Sequence, residues 1–142
     1  MAELKKPNYY LYIIMRNDLQ SLNPGKGMAQ AAHAGNAFVH DIEKRVPKTS
    51  PVMRAYQQWS KETHQGFGTT IVLGGSLWLI NKLSNDLKKI KEDFLSGVVH
   101  DPTYPVRDGD VTHLIPLDTC FYIFCAKEGE VKDILTPFLL HP

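Results

Sequence analysis

An apolar stretch, Tyr9 to Met15, runs into the polar loop Arg16-Asn17-Asp18-Leu19, and Pro24-Gly25-Lys26-Gly27 then opens a segment of small residues, Met28 to Ala34. This order constrains the fold more than any other feature of the chain. Tyr9 to Arg16 has the aromatic and β-branched content of a buried strand. From Gly25 to about Arg45, Met28, Ala31, Ala32, Gly35, Phe38, Val39 and Ile42 gather on one side of a helix, at ~100° per residue. Small residues in the first half of that stripe let the helix approach a sheet closely. A helix start also presents unpaired N–H groups and a positive dipole end, which suit a phosphate or a developing oxyanion. Lys26 adds a mobile cation at that mouth.

The rest of the chain continues the alternation. Ser50-Pro51 supplies an N-cap and a favoured first helical position for a helix through Trp59 toward His64. Thr69 to Leu73 reads as a second buried strand, followed by a long amphipathic helix carrying Leu77, Ile80, Leu83, Leu87, Ile90 and Phe94. Gly97 to Asp101 is a short third strand, Thr119 to Ala126 a fourth, and Gly129 to Thr136 a last helix limited by Pro137. Strand–helix–strand order predicts parallel pairing of the first three strands with right-handed crossovers. The link from Asp101 to Asp118 lacks a helical pattern, so the last strand should run antiparallel. The expected fold is α/β, a three-layer α/β/α sandwich on a mixed four-stranded sheet, in one domain over residues 1–142. In such sheets the ligand crevice lies beyond the carboxyl ends of the parallel strands, where Asp18 and Asp101 fall and Thr119 begins.

Composition narrows the function classes. No apolar run approaches ~20 residues, so no membrane partner is expected, and Met1 to Pro7 lacks the apolar core of a secretory signal, which predicts a cytoplasmic protein. The net charge of +1 announces no nucleic-acid partner, so any phosphate track must be local, built from Lys5, Lys6, Arg16, Lys26 and Arg107 if they converge. Lys82, Lys88, Lys89 and Lys91 alternate with Asp86, Glu92 and Asp93, as on a solvated face. Cys120 and Cys125 lie five apart in one strand, so they point to opposite faces and read as buried thiols. Six scattered histidines and no Cys-x-x-Cys give no metal site, and neither a Walker loop nor a nucleophile elbow is present, so no cofactor is expected.

Arg16-Asn17-Asp18-Leu19, Gly25-Lys26 and Ala29-Gln30-Ala31-Ala32-His33-Ala34 resemble the type 2 peptidyl-tRNA hydrolase family, the archaeal and eukaryotic kind. The likeness returns over Val99 to Ala126, where Thr119-Cys120-Phe121-Tyr122-Ile123 is similar to the family's Thr-Val-Leu-Gly-Ile. Two stretches depart from it. The family usually carries Gly-Lys-Gly-Lys, and aligning on Gln30 puts Lys26 on the second lysine and Pro24 on the first. Where the family reads Asp-Ala-Gly-x-Thr, this chain has Asp101-Pro102-Thr103-Tyr104-Pro105, followed by a longer polar loop to Asp118 that would form a lid or a different rim.

The resemblance implies metal-independent hydrolysis of the ester between a peptide and the 3′ ribose of tRNA, with peptidyl-tRNA as partner and a homodimer left open. It casts Lys26, Asp101 and Thr119 as catalytic, and Asp18, Gln30, His33 and Thr103 as substrate-binding. Asp101 would orient or activate water with Thr119 as its hydrogen-bond partner, while Lys26 and the helix amides would hold the oxyanion or a terminal phosphate. Helical spacing puts Gln30 and His33 on Lys26's face, opposite the apolar stripe, where an ordinary solvated surface is the competing reading. The alternative function is an inactive member of the same fold that binds RNA or a protein. A third is a small-molecule ester hydrolase using the same crevice.

Overall fold

The computed structural model describes residues 8–89 and 93–140. Expectations for Lys5, Lys6, Ile90, Lys91 and Glu92 lie outside the described residues.

The elements are β1 (Leu11–Arg16), α1 (Pro24–Arg45), α2 (Pro51–Ser60), β2 (Thr70–Gly75), α3 (Leu77–Leu87), β3 (Phe94–Asp108), β4 (Val111–Cys125), α4 (Glu128–Leu135) and β5 (Leu139–Leu140). Capping explains three of the helix starts. The side chains of Asn23, Ser50 and Ser76 each accept an N–H from the first turn of α1, α2 and α3, and proline opens both α1 and α2. The sheet order is β3-β4-β1-β2-β5. Among the described residues only β1 and β2 pair in parallel; the other pairs are antiparallel. The four main strands thus form the mixed sheet expected, with two-residue β5 added outside β2.

Alternation along the strands builds two core layers. Leu11, Ile13 and Met15 face α1 and α2, packing with Phe38, Ile42, Val52 and Trp59. Ile14 faces α3 and α4, with Ile80, Leu83, Val131 and Leu135. Phe38 centres the first layer, its ring 5.0 Å from Phe124, 5.4 Å from Trp59, 5.6 Å from Tyr56 and 5.7 Å from Tyr122. Truncating such a residue to alanine costs about 3–5 kcal/mol. Cys120 and Cys125 fall in opposite layers, as their odd spacing requires.

Three expectations are corrected. β3 runs in the same direction as β1 and β2 but pairs with neither, because β4 lies between it and β1. The cause is the hairpin: Gly109, at φ +60°, and Asp110 make a two-residue turn that forces β3 and β4 to be antiparallel neighbours. Residues 106–118 are therefore not a loop but the outer half of a ribbon. Its exposed residues, Val111, Leu114 and Ile115 among them, cover no core, so they carry no alternating pattern that would reveal a strand. Finally, α3 stops at Leu87, and Phe94 and Leu95 enter opposite core layers as strand residues, the spacing of seven from Leu87 being shared by both readings.

Candidate active site

The register of the β3–β4 hairpin breaks twice, between Val99 and His100 and between Asp101 and Tyr104. The first break leaves Thr119 without a paired partner, since Val99 pairs with Cys120 and His100 with Asp118. A strand in strict alternation would send Thr119 and Cys120 to opposite faces. The bulge turns both toward α1: Thr119 Oγ1 donates to Gln30 Oε1 at 2.6 Å, and Cys120 Sγ to Gln30 O at 3.6 Å. The second break sets Pro102 and Thr103 against Pro116 alone and folds Thr103 back onto Asp101.

A closed polar cluster results. Gln30 Nε2 donates to Asp101 Oδ2 at 2.7 Å, and Asp101 Oδ1 accepts from Thr103 N at 2.9 Å and from Thr103 Oγ1 at 3.3 Å. Gln30 is 2 % exposed, Asp101 8 % and Thr119 not at all. Burial pushes the Asp101 carboxyl up, but the bonds from Gln30 and Thr103, helped by the electrostatic pull of His33, outweigh it and hold the group below its ordinary 3.8. Asp101 is therefore an anion at neutral pH. The neighbouring Cys120 thiol is pushed up to about 12 by burial, against the pull of the Thr119 hydrogen bond, so it supplies no nucleophile.

Lys26 stands one helical turn before Gln30 on the same face, ~5–6 Å between Cβ atoms. Its Nζ donates to Pro105 O at 2.6 Å and lies 5.1 Å from the centre of the Tyr104 ring. Tyr104 is buried and its hydroxyl meets Ser21 Oγ at 3.1 Å, so the ammonium rests on a fixed floor. The amides of that helix end are largely used by its own cap: Pro24 has none, Asn23 Oδ1 accepts from Lys26 N at 2.9 Å, and Asn23 O accepts from Gly27 N at 2.9 Å. The helix mouth thus contributes chiefly the lysine, and not the row of free amides expected for the oxyanion.

Several sequence-derived placements change. Asp101 and Thr119 lie within long strands, not at strand ends, and face α1 across the sheet instead of sitting beyond its edge. Thr119 reaches Asp101 only through Gln30. Gln30 is turned into the protein because the buried positions of α1 are Gln30, Ala34, Phe38 and Ile42, a stripe rotated from the expected one; Met28 is 71 % exposed. The interval of four between these residues was the signal that could have found Gln30. Tyr104, under Lys26, was missed because flanking prolines disguise the strand. His33 remains exposed, on the cluster's outer side.

Asp18 belongs to a different assembly. It accepts from Arg16 Nε at 2.8 Å and from Leu77 N, the first residue of α3, at 3.2 Å, while Arg16 also donates to Asp118 O at 3.1 Å. Of the basic residues suggested for a phosphate track, Arg16 is taken up in this assembly and Arg107 donates to Gly109 O at 3.1 Å out on the ribbon. No group of three or more His, Cys, Asp or Glu among the described residues is placed to hold a metal ion.

Residues 9–138 match the family described as Peptidyl-tRNA hydrolase PTH2. The chain belongs to this family. The matched span holds all seven site residues considered, from Asp18 to Thr119. Membership in PTH2 implies hydrolysis of peptidyl-tRNA and a place in translation. Comparison with curated proteins found no match. None of the described helices is long and apolar enough to cross a membrane, which agrees with the absence of an apolar run.

Proposed function

We propose that this chain is an active, metal-independent peptidyl-tRNA hydrolase working in the cytoplasm, with Lys26 and Asp101 at the reacting ester. One observation carries the reading: a nearly buried carboxylate of β3, held ionised by neutral donors and packed against the face of α1 that also bears Lys26. A carboxylate offers about four acceptor positions, and three are used, two on Oδ1 and one on Oδ2. The one left on Oδ2 accepts from a water. Lys26 has three N–H donors and spends one on Pro105 O, so two remain for a carbonyl oxygen.

The reaction follows from those vacancies. The water oxygen bonds to the ester carbonyl carbon while Asp101 orients it and stabilises the positive charge that builds on it. Lys26 faces the oxygen that becomes negative. The tetrahedral intermediate collapses by breaking the bond from carbon to the ribose 3′ oxygen. That oxygen takes the proton water has lost, so the tRNA leaves with its 3′ hydroxyl and the peptide leaves as a carboxylic acid that ionises. His33 and Thr103, both exposed beside the cluster, are the substrate contacts in this reading.

Turnover of a peptidyl-tRNA by purified protein, with and without chelator, tests this directly; equal turnover is expected in both. If Lys26→Ala and Asp101→Asn each keep turnover within about threefold, under ~0.7 kcal/mol of barrier, the roles are wrong. Strongly salt-dependent tRNA binding without turnover would support a binding module instead.

A further inference from the structure

We propose that Gln30 is a positioning residue, whose amide fixes the Asp101 carboxylate with one end and the Thr119 hydroxyl with the other. The kinetic part of this claim rests on the hydrolase reading; the geometric part does not.

The polarity of the relay follows from its chemistry. An ionised carboxylate only accepts, so the NH2 end of Gln30 must face Asp101. Its oxygen then faces Thr119, which leaves the Thr119 hydroxyl no role but donor. Every member has one orientation. The relay also ties α1 to both bulged strands, β3 through Asp101 and β4 through Thr119, which are the two places where the hairpin register breaks. A glutamine satisfies both ends because it carries a donor and an acceptor on one rigid plane. Leucine would satisfy neither, and glutamate satisfies both only while protonated.

The charged and titratable groups around Asp101 are few. From α1, His33 acts on it electrostatically and Lys26 stands one turn away; β3 contributes the neutral Thr103, and β4 contributes Thr119 and the protonated Cys120. A carboxyl-carbon NMR titration resolved at Asp101 separates its ionisation from that of His33 and needs no turnover. Gln30→Leu is expected to raise the Asp101 pKa by about one unit or more, because a buried carboxylate loses a donor. A shift under about 0.3 units would overturn the proposal.

Kinetics supply the second arm. Gln30→Leu should lower kcat about 30-fold with KM within about threefold, since the variant loses orientation at the reacting centre and not substrate contact. Gln30→Glu places two carboxyls at hydrogen-bond distance, so one proton is shared between them and its pKa is raised. That variant should be active while the introduced carboxyl is protonated and lose activity as that proton leaves, whereas the wild type gains activity over the same acid-to-neutral range as Asp101 ionises. This reversed pH dependence, read over the pH range where circular dichroism shows the variant folded, is the signature that a merely structural role does not produce. A wild-type-shaped profile scaled down in Gln30→Glu, or a Gln30→Leu change confined to KM, overturns the proposal. If Gln30→Leu does not fold, the near-isosteric Gln30→Glu at acid pH decides. If the wild type itself turns over no peptidyl-tRNA, the hydrolase reading fails while the titration still judges the relay.

Discussion

Asp18 and Asp101 are both held below the ordinary carboxylate range, yet by different kinds of partner. Asp18 is pulled down first by its bond from Arg16, a cation, and then by the amide that opens α3. Its charge is matched on the spot by Arg16, and its side chain is 37 % exposed. Asp101 is held by Gln30 and Thr103, which lend hydrogen bonds but no charge. No cation is hydrogen-bonded to its nearly buried carboxylate, and His33 acts on it only electrostatically. A matched charge braces a fold, whereas an unmatched one, kept ionised by neutral donors, is available for a reacting molecule.

The sharpest way to break this comparison is to neutralise each carboxyl in turn. Asp101→Asn should lower kcat at least about 100-fold, near 3 kcal/mol of barrier, with the fold intact by circular dichroism. Asp18→Asn should instead cost stability, about 1 kcal/mol by urea unfolding as the α3 start and the Arg16 pair weaken, with turnover inside about threefold. Equal kinetic losses in the two variants would erase the distinction.

Next in size is Lys26→Met, which keeps the stem over Tyr104 and deletes the charge. We expect a 10- to 100-fold fall in kcat, about 1.4–2.7 kcal/mol, read in single-turnover assays. A change in KM alone would move Lys26 from the oxyanion to substrate binding.

The two carboxyls also share a pH signature. Each has a folded pKa below 3.8, so each contributes stability that is fully present above about pH 4 and is lost as pH falls through the folded value. Unfolding free energy measured by urea titration should thus be nearly level above pH 4 on their account and decline below it. Either asparagine variant should flatten part of that decline. A slope unchanged in Asp101→Asn would show that its carboxyl is not held down in the folded state.

The smallest effect is expected far from both carboxyls. Gly109→Ala forces a φ of +60° on a residue that resists it and should cost about 1 kcal/mol, seen as faster amide exchange on residues 106–116. Turnover should not change, because the site lies inboard of that ribbon.

Much of this was legible in the chain itself. The β1–α1 unit, the cap at Ser50, and the split of Cys120 and Cys125 between faces are local matters, decided by residues within one element or its neighbours. Short-range sterics and side-chain periodicity suffice for them, as they do for placing Lys26 on the first turn of α1. What the chain could not disclose lies between elements. A hairpin whose outer half covers no core has no period to detect, so β4's insertion between β1 and β3 was hidden. A bulge is a mismatch between two strands and exists in neither one alone, so the turning of Thr119 toward α1 could only come from pairing. The burial of Gln30 follows from both, because a polar side chain enters a core only where partners for its two ends already wait. The residue types were set by the polypeptide; their meeting was set by strand register, which is a property of the folded sheet.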